Sequence, residues 1–187
     1  MTDATPTWIS RLDAAAQQCD DMAVCTAVQD TLVDEITSGR LQLDPTFTDT
    51  CSTGYARRLL HRGTNYSVVV MVWDQGQGTP IHDHDGRWCV ECVYQGEIRV
   101  RSYDIVGKPE DEFVSFTEQQ TVPATKGMAG HLIPPFDYHT IDNPLEERAV
   151  TIHVYGGEME GCHIYEQLPD GRYQRVRREL SYTGPAD

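Results

Sequence analysis

The sequence predicts a mainly β protein, a small β-barrel or sandwich behind an N-terminal helical cap. Three observations predict it. An apolar period of four residues runs through the N-terminal stretch. Several short β-branched or alternating segments follow from about residue 55, and Gly or Pro turns punctuate them.

Residues 8–38 read as helical. Val24, Val28, Leu32 and Ile36 recur every fourth residue and line one face, with Asp20 as N-cap and Gly39 as stop. Trp8, Ile9, Leu12, Ala15 and Ala16 suggest a shorter helix before it, and residues 40–54 a connector rich in Thr, Asp and Ser. Tyr66 to Trp73 is a β-branched apolar run, the pattern of a strand buried on both faces, and Asp74 to Pro80 is a Gly-containing turn. Ile98, Val100 and Ser102 alternate with Glu97, Arg99 and Arg101, which predicts a half-exposed strand. Gly130 to Pro135, Ala149 to Tyr155 and His163 to Gln167 supply further strands, and residues 181–187 read as a loose tail. No repeat or linker divides the chain. The expected organisation is one domain over residues 1–187, with a helical cap and connector over 1–54 and the barrel over 55–180.

The 187 residues carry 15 basic and 29 acidic side chains, a formal net charge of −14 with histidine neutral. Such a surface repels phosphate backbones and anionic lipid, so neither nucleic acid nor membrane is an expected partner. A small anionic substrate would need a local cation. The opening MTDATPTWIS has no basic stretch followed by an apolar one, and six cysteines without a secretion signal read as reduced thiols; the expected compartment is the cytoplasm.

The strongest local signal is Gly78-Thr-Pro-Ile-His82-Asp-His84. Two histidines at i and i+2 on a strand project from one face, and imidazole binds Fe, Zn, Ni and Cu well. Taken alone the pair fits a polar strand face equally. Five residues lie between Gly76 and His82, and Pro134 begins a second segment, Pro-x4-His139-x3-Asn143. The order G-x5-H-x-H, then P-x4-H-x3-N, resembles the two motifs of the cupin superfamily, with Phe136 replacing the usual glycine of the second. The resemblance implies a double-stranded β-barrel (jelly roll) with N-terminal helices and a metal inside the barrel. Most metal-binding cupins add a glutamate four or five residues after the second histidine. Trp88 and Cys89 occupy those places here, and Glu91 is expected to fall too far along. A three-histidine site leaves the ion its full charge and open positions for a substrate and a molecule such as O2.

Further matches narrow the resemblance. Thr79-Pro-Ile-His82-Asp-His84-x4-Cys89, Tyr55-x-Arg57, Trp73 with its Gly turn, Thr151-x-His153-x-Tyr155 and Cys162-His163 together resemble the cysteine dioxygenase and related thiol dioxygenase family. The resemblance implies Fe(II) on His82, His84 and His139, with open positions for substrate thiolate, substrate amine and O2. It implies that Arg57 holds the substrate carboxylate, supported by Tyr55, with Trp73 and Cys162 at the substrate pocket. Tyr155 would present its phenol to the reacting atoms, oriented by His153 with Thr151 behind it, and Cys89 would be able to join Tyr155 in a thioether. Gly156-Gly157 and Trp88 depart from the mammalian pattern of prolines and a histidine.

The expected activity is oxidation of a small thiol carboxylate, L-cysteine first, to the sulfinic acid. 3-Mercaptopropionate is an alternative, as is mercaptosuccinate, whose second carboxylate would need Arg58, Arg87 or His61. The reading from another class is a non-catalytic metal- or ligand-binding cupin. Cys89-x-x-Cys92 resembles half a zinc knuckle, but residues three apart on a strand face opposite ways. His61, His131 and His163 lack paired spacing and read as structural.

Overall fold

The structure, a computed structural model, describes residues 7–51 and 53–184. Two helices come first, α1 (Thr7–Ala15) and α2 (Asp21–Thr37). Asp20 caps α2 by accepting a hydrogen bond from the Ala23 N–H at 2.9 Å, and Gly39 turns the chain away at φ +72°. Glu35 on α2 is buried and ion-paired to Arg11 and Arg40. A 3-10 turn, Pro45–Thr48, lies within the expected connector.

Eleven strands follow: β1 (Ala56–Arg62), β2 (Ser67–Trp73), β3 (Ile81–His82), β4 (Cys89–Gln95), β5 (Glu97–Val106), β6 (Phe113–Thr125), β7 (Ala129–Leu132), β8 (His139–Asp142), β9 (Ala149–Tyr155), β10 (Gly161–Gln167) and β11 (Tyr173–Glu179). One sheet has the order β1-β2-β9-β4-β7. The other runs β10-β11-β6-β5-β8-β3 and closes on itself, because β3 pairs back to β10. This is the mainly β, cupin-type architecture with N-terminal helices. Among the described residues no helix is long and apolar enough to cross a membrane.

The period-2 alternation of the central strands explains their apolar runs. Val68, Val70 and Val72 of β2, Val90 and Cys92 of β4, and Val150, Ile152 and Val154 of β9 join Leu12, Val28, Leu32 and Ile36 in one core beneath the helices. The intervening residues point the other way. Val69, Met71, Trp73, Cys89 and Tyr155 join Ile98, Ile141, Met159, Cys162 and Ile164 in a second core. The helical cap therefore buries the outer face of the five-stranded sheet and leaves its inner face to the site. Cys89 and Cys92 fall in different cores, as their spacing requires.

Two expectations fail. Residues 181–184 are not loose: the Thr183 N–H donates to the Arg57 carbonyl at 2.7 Å, the Thr183 hydroxyl oxygen accepts from the Arg57 N–H at 3.0 Å, and the Tyr182 ring covers the Arg57 guanidinium at 4.6 Å. Residues 185–187 lie outside the described residues. The histidine pair is not carried on one strand either. β3 ends at His82, and the chain turns through Asp85 at φ +55°, so His84 reaches inward from a loop.

Candidate metal centre and substrate pocket

His82, His84 and His139 bring one ring nitrogen each within 4.8 Å of one another. Register explains part of this, since His82 is the cross-strand partner of His139. Hydrogen bonds fix the rest. His82 Nδ1 lies 3.1 Å from the Pro80 carbonyl, His139 Nδ1 lies 3.3 Å from the Asp137 carbonyl, and His84 Nδ1 lies 3.2 Å from Asp137 Oδ2. A carbonyl or carboxylate oxygen can only accept, so each Nδ1 carries the proton and each Nε2 keeps a bare lone pair. His84 Nε2 and His139 Nε2 are buried without a hydrogen-bond partner. Three converging lone pairs with oriented opposite nitrogens suit a divalent transition metal. Burial first, then the neighbouring imidazoles, pushes His82 well below the ordinary histidine range; burial also lowers His84. Burial opposes protonation of His139 too, but the Glu91 carboxylate beside it outweighs that and raises it; a metal must displace any such proton to use the ring.

Asp137 is a site residue the sequence reading did not single out. Buried at the foot of the His139 turn, it accepts from both the His84 N–H (3.0 Å) and the His84 ring.

Glu91 corrects a further expectation. It does not fall outside the site, because β4 places Glu91 on the same inward face as Cys89, directly opposite His153 of β9. Its Oε1 lies 3.3 Å from His139 Nε2 and 3.2 Å from His153 Nδ1, and the carboxylate forms a second ligand-like cluster with His84 and Cys89. Burial pushes its carboxyl upward, but the two imidazoles outweigh that and hold it well below the usual range. The spacing rule for cupin glutamates misses it; the period-2 count from Cys89 finds it.

Thr151, His153 and Tyr155 share the inner face of β9, as expected, but the relay runs elsewhere. The Trp73 Nε1–H donates to Thr151 Oγ1 at 3.0 Å, and Thr151 Oγ1 lies 2.7 Å from His153 Nε2. Thr151 Oγ1 thus accepts from Trp73 and shares a second hydrogen bond with His153 Nε2, while Nδ1 of that ring faces Glu91. His153 Nε2 is thereby committed to Thr151, and Nδ1 lies 3.2 Å from Glu91 Oε1. The His153 and Tyr155 rings merely stack, with centroids 6.0 Å apart, and the Tyr155 hydroxyl makes no hydrogen bond with the described residues. Cys89 is the cross-strand partner of Tyr155. Gly156 is explained by packing: a Cβ there would meet the Trp88 ring at 2.5 Å.

A cavity of about 100 Å³ opens onto these groups. It is lined by Tyr55, Arg57, Trp73, His82, Glu91, His153, Tyr155 and Cys162, among others. Arg57 is only 4% exposed; its Nη2 donates to the Met159 carbonyl at 3.0 Å, while Nε and Nη1 have no partner. Tyr55 stacks on Trp73 with ring centroids 4.6 Å apart. Cys162 is buried, and burial pushes its thiol to about 11. None of the expected second cations lines this cavity. Arg58 points to the opposite face, donating to the Asp49 carbonyl at 2.6 Å; Arg87 donates to the Glu158 carbonyl; and His61 packs on Trp8 and Tyr66. Arg178, exposed on β11, lines it instead. A larger cavity of about 280 Å³ shares only Glu91 with the first; His139 and mostly apolar side chains complete its walls.

Comparison with known proteins places these features. The family model described as cysteine dioxygenase type I matches residues 27–168. Curated proteins named cysteine dioxygenase type 1 from Rattus norvegicus and Homo sapiens are each 24% identical over 115 residues, covering 60% of this chain and 56% of theirs. The one from Danio rerio is 22% identical over the same extent. The matched region is thus little more than half the length of these relatives. Among solved structures, a conserved protein with a double-stranded β-helix domain from Klebsiella pneumoniae superposes with a TM-score of 0.50 at 16% identity, covering 64% of this chain and 92% of that one. That likeness concerns the fold.

Proposed function

The chain belongs to the cysteine dioxygenase type I family, and on that premise we propose that it is a mononuclear iron enzyme. It would add both atoms of O2 to the sulfur of a small thiol carboxylate, L-cysteine first, giving the sulfinic acid. One observation carries the reading. The partnerless Nε and Nη1 of buried Arg57 belong to a side chain that lines the same small cavity as His82 of the histidine cluster. A planar fork of donors is the preferred partner of a carboxylate. His82, His84 and His139 would hold the ion, which when bound acidifies a thiol and brings it beside dioxygen.

The side chains do the rest. Arg57 binds the carboxylate and so fixes where the thiol lies; Tyr55 and Trp73 form a stacked wall beside it. Holding two reactants as neighbours removes much of the entropic cost of their encounter. Burial, then the nearby Cys89, pushes the Tyr155 phenol well above its ordinary range, so Tyr155 keeps its proton and its free hydroxyl donates to oxygen arriving at sulfur. Thr151 and Trp73 lock His153 in the sheet and away from that hydroxyl.

Oxygen uptake by ferrous-loaded protein with L-cysteine, 3-mercaptopropionate and mercaptosuccinate tests the proposal. The expected result is consumption with cysteine, matched by a product two oxygen atoms heavier. Stoichiometric zinc in the purified protein, with no thiol-dependent uptake after iron loading, would favour a non-catalytic cupin. Arg178 at the cavity wall favours mercaptosuccinate as the second reading, since a dicarboxylate needs two cations.

The pairing of Cys89 with Tyr155 supports a thioether. An S–H and a ring C–H would be replaced by C–S, and dioxygen would take up the two protons and two electrons. Turned-over protein should be two hydrogens lighter, with the change shared between the peptides of Cys89 and Tyr155. Free thiol at Cys89 after many turnovers would count against it.

A further inference from the structure

The larger cavity takes no part in the chemistry above. It lies between the two sheets, walled by β4 and β7 on one side and by β5 and β6 on the other. Gln120 and His131 stand exposed at its rim. Its buried walls include Val93 and Ile98, each 2% exposed, together with Glu91 and the fully buried His139. Val100, Ala124 and Leu132 continue the apolar lining, and among the described residues no lysine or arginine lines it. The cavity therefore connects solvent to one of the three clustered histidines without crossing the thiol pocket; Glu91 alone borders both spaces.

Those walls select an occupant. Mostly aliphatic side chains give water few partners, and apolar cavities of about 150 Å³ already stay dry and take up small apolar guests such as xenon. A thiol carboxylate is excluded, since its anionic group would be buried without a cation. Dioxygen carries no charge and needs no hydrogen bond. The pocket that holds Arg57 is about 100 Å³. That is roughly the liquid volume of three waters, so one thiol carboxylate anchored on Arg57 stops it. A second, apolar entrance then lets oxygen arrive after the thiol is seated. We propose that the cavity of about 280 Å³ is a dioxygen antechamber, which takes O2 from solvent between the sheets and delivers it to the site on the side of His139 and Glu91. The proposal rests on the dioxygenase reading above and assigns separate doors to the two substrates.

Dioxygen is paramagnetic, so its place can be read without metal or turnover. Methyl relaxation in the metal-free protein is compared under O2 and under N2. Val93 and Ile98 line the large cavity alone, Met71 and Ile164 the thiol pocket alone, and Val68 and Val70 belong to the core beneath the helices; all six are buried. The extra relaxation is expected to be several-fold greater at Val93 and Ile98 than at the other four, and Ala124→Phe, which plugs the cavity, should abolish the difference. Equal enhancement at Ile98 and Val68 overturns the proposal. So does a larger enhancement at Ile164, which would send oxygen through the thiol's entrance. In ferrous-loaded protein Ala124→Phe should raise KM for O2 several-fold and leave KM for the thiol unchanged; an unchanged KM for O2 overturns the delivery role. A wild type that takes O2 into the cavity yet consumes none with any thiol would sink the dioxygenase reading while upholding oxygen's place there. Should Ala124→Phe not fold, Val100→Phe blocks the same space, and the wild-type comparison decides without either variant.

Discussion

Arg57→Met lowers kcat/KM for a thiol carboxylate by on the order of 10²- to 10³-fold, and a thiol without a carboxylate, such as cysteamine, escapes the loss. The size follows from burial. Arg57 is 4% exposed, one nitrogen is satisfied by the Met159 carbonyl, and no carboxylate among the described residues lies within ion-pair distance. Deleting one member of a buried, hydrogen-bonded charge pair costs about 2–5 kcal/mol in binding, because the other charge is left unpaired. Here the unpaired charge is the substrate's.

The fold should not suffer. In the absence of substrate Arg57 is an uncompensated buried cation, so a methionine of similar length should leave the melting temperature unchanged or higher. Arg57→Lys should not restore activity, since a single ammonium cannot reproduce the planar fork. Oxygen uptake with cysteine and cysteamine in parallel, with a thermal melt, reads all of this. An equal loss on both thiols would mean that Arg57 maintains the pocket rather than the carboxylate. On the proposed role of Arg57 the C-terminal residues would belong to the same device: Tyr182 lies over the guanidinium, and Thr183 exchanges two hydrogen bonds with the Arg57 backbone, contacts that would aim the side chain before substrate arrives.

That clamp was invisible in the sequence, where Ser181 to Asp187 reads as polar punctuation with no period. The strands β6 and β11 were hidden for a related reason. Much of β6 lies exposed, and β11 carries Arg175, Arg177 and Arg178, so neither shows an apolar run. By contrast β2 and β9 are buried along their whole length, and their boundaries are nearly those of the apolar segments that predict them. At the site, the three histidines were legible because their spacing is chemical. Asp137 and Glu91 were not, because each acts through a neighbour in space rather than in sequence. Asp137 meets His84 across a separation of 53 residues, and Glu91 meets His139 only after β4 and β8 are placed. The motif rule that seeks a glutamate at a fixed offset from His84 discarded a carboxylate that pleating alone returns to the site.

Asp137→Ala is expected to reduce metal affinity by about 10- to 100-fold, the usual consequence of losing the group that orients a ligating histidine. One carboxylate oxygen, Oδ2, accepts from both the His84 N–H at 3.0 Å and His84 Nδ1 at 3.2 Å, so the substitution frees the backbone and the ring of one ligand together. Two buried donors are then unsatisfied, and leaving such a group unpaired costs about 1–3 kcal/mol of stability. His139 is the internal control. Its Nδ1 leans on the Asp137 backbone carbonyl, which any substitution retains, so the second ligand keeps its tautomer. Asp137→Asn separates charge from geometry. Its amide oxygen still accepts, and affinity near wild type would show that orientation is what Asp137 supplies; a loss as deep as that of alanine would show that its negative charge, felt through His84, strengthens the metal bond. Chelator competition on the three proteins, with melting curves of their metal-free forms, measures both effects. Unchanged affinity in Asp137→Ala would mean that the loop carrying His84 is held by packing alone.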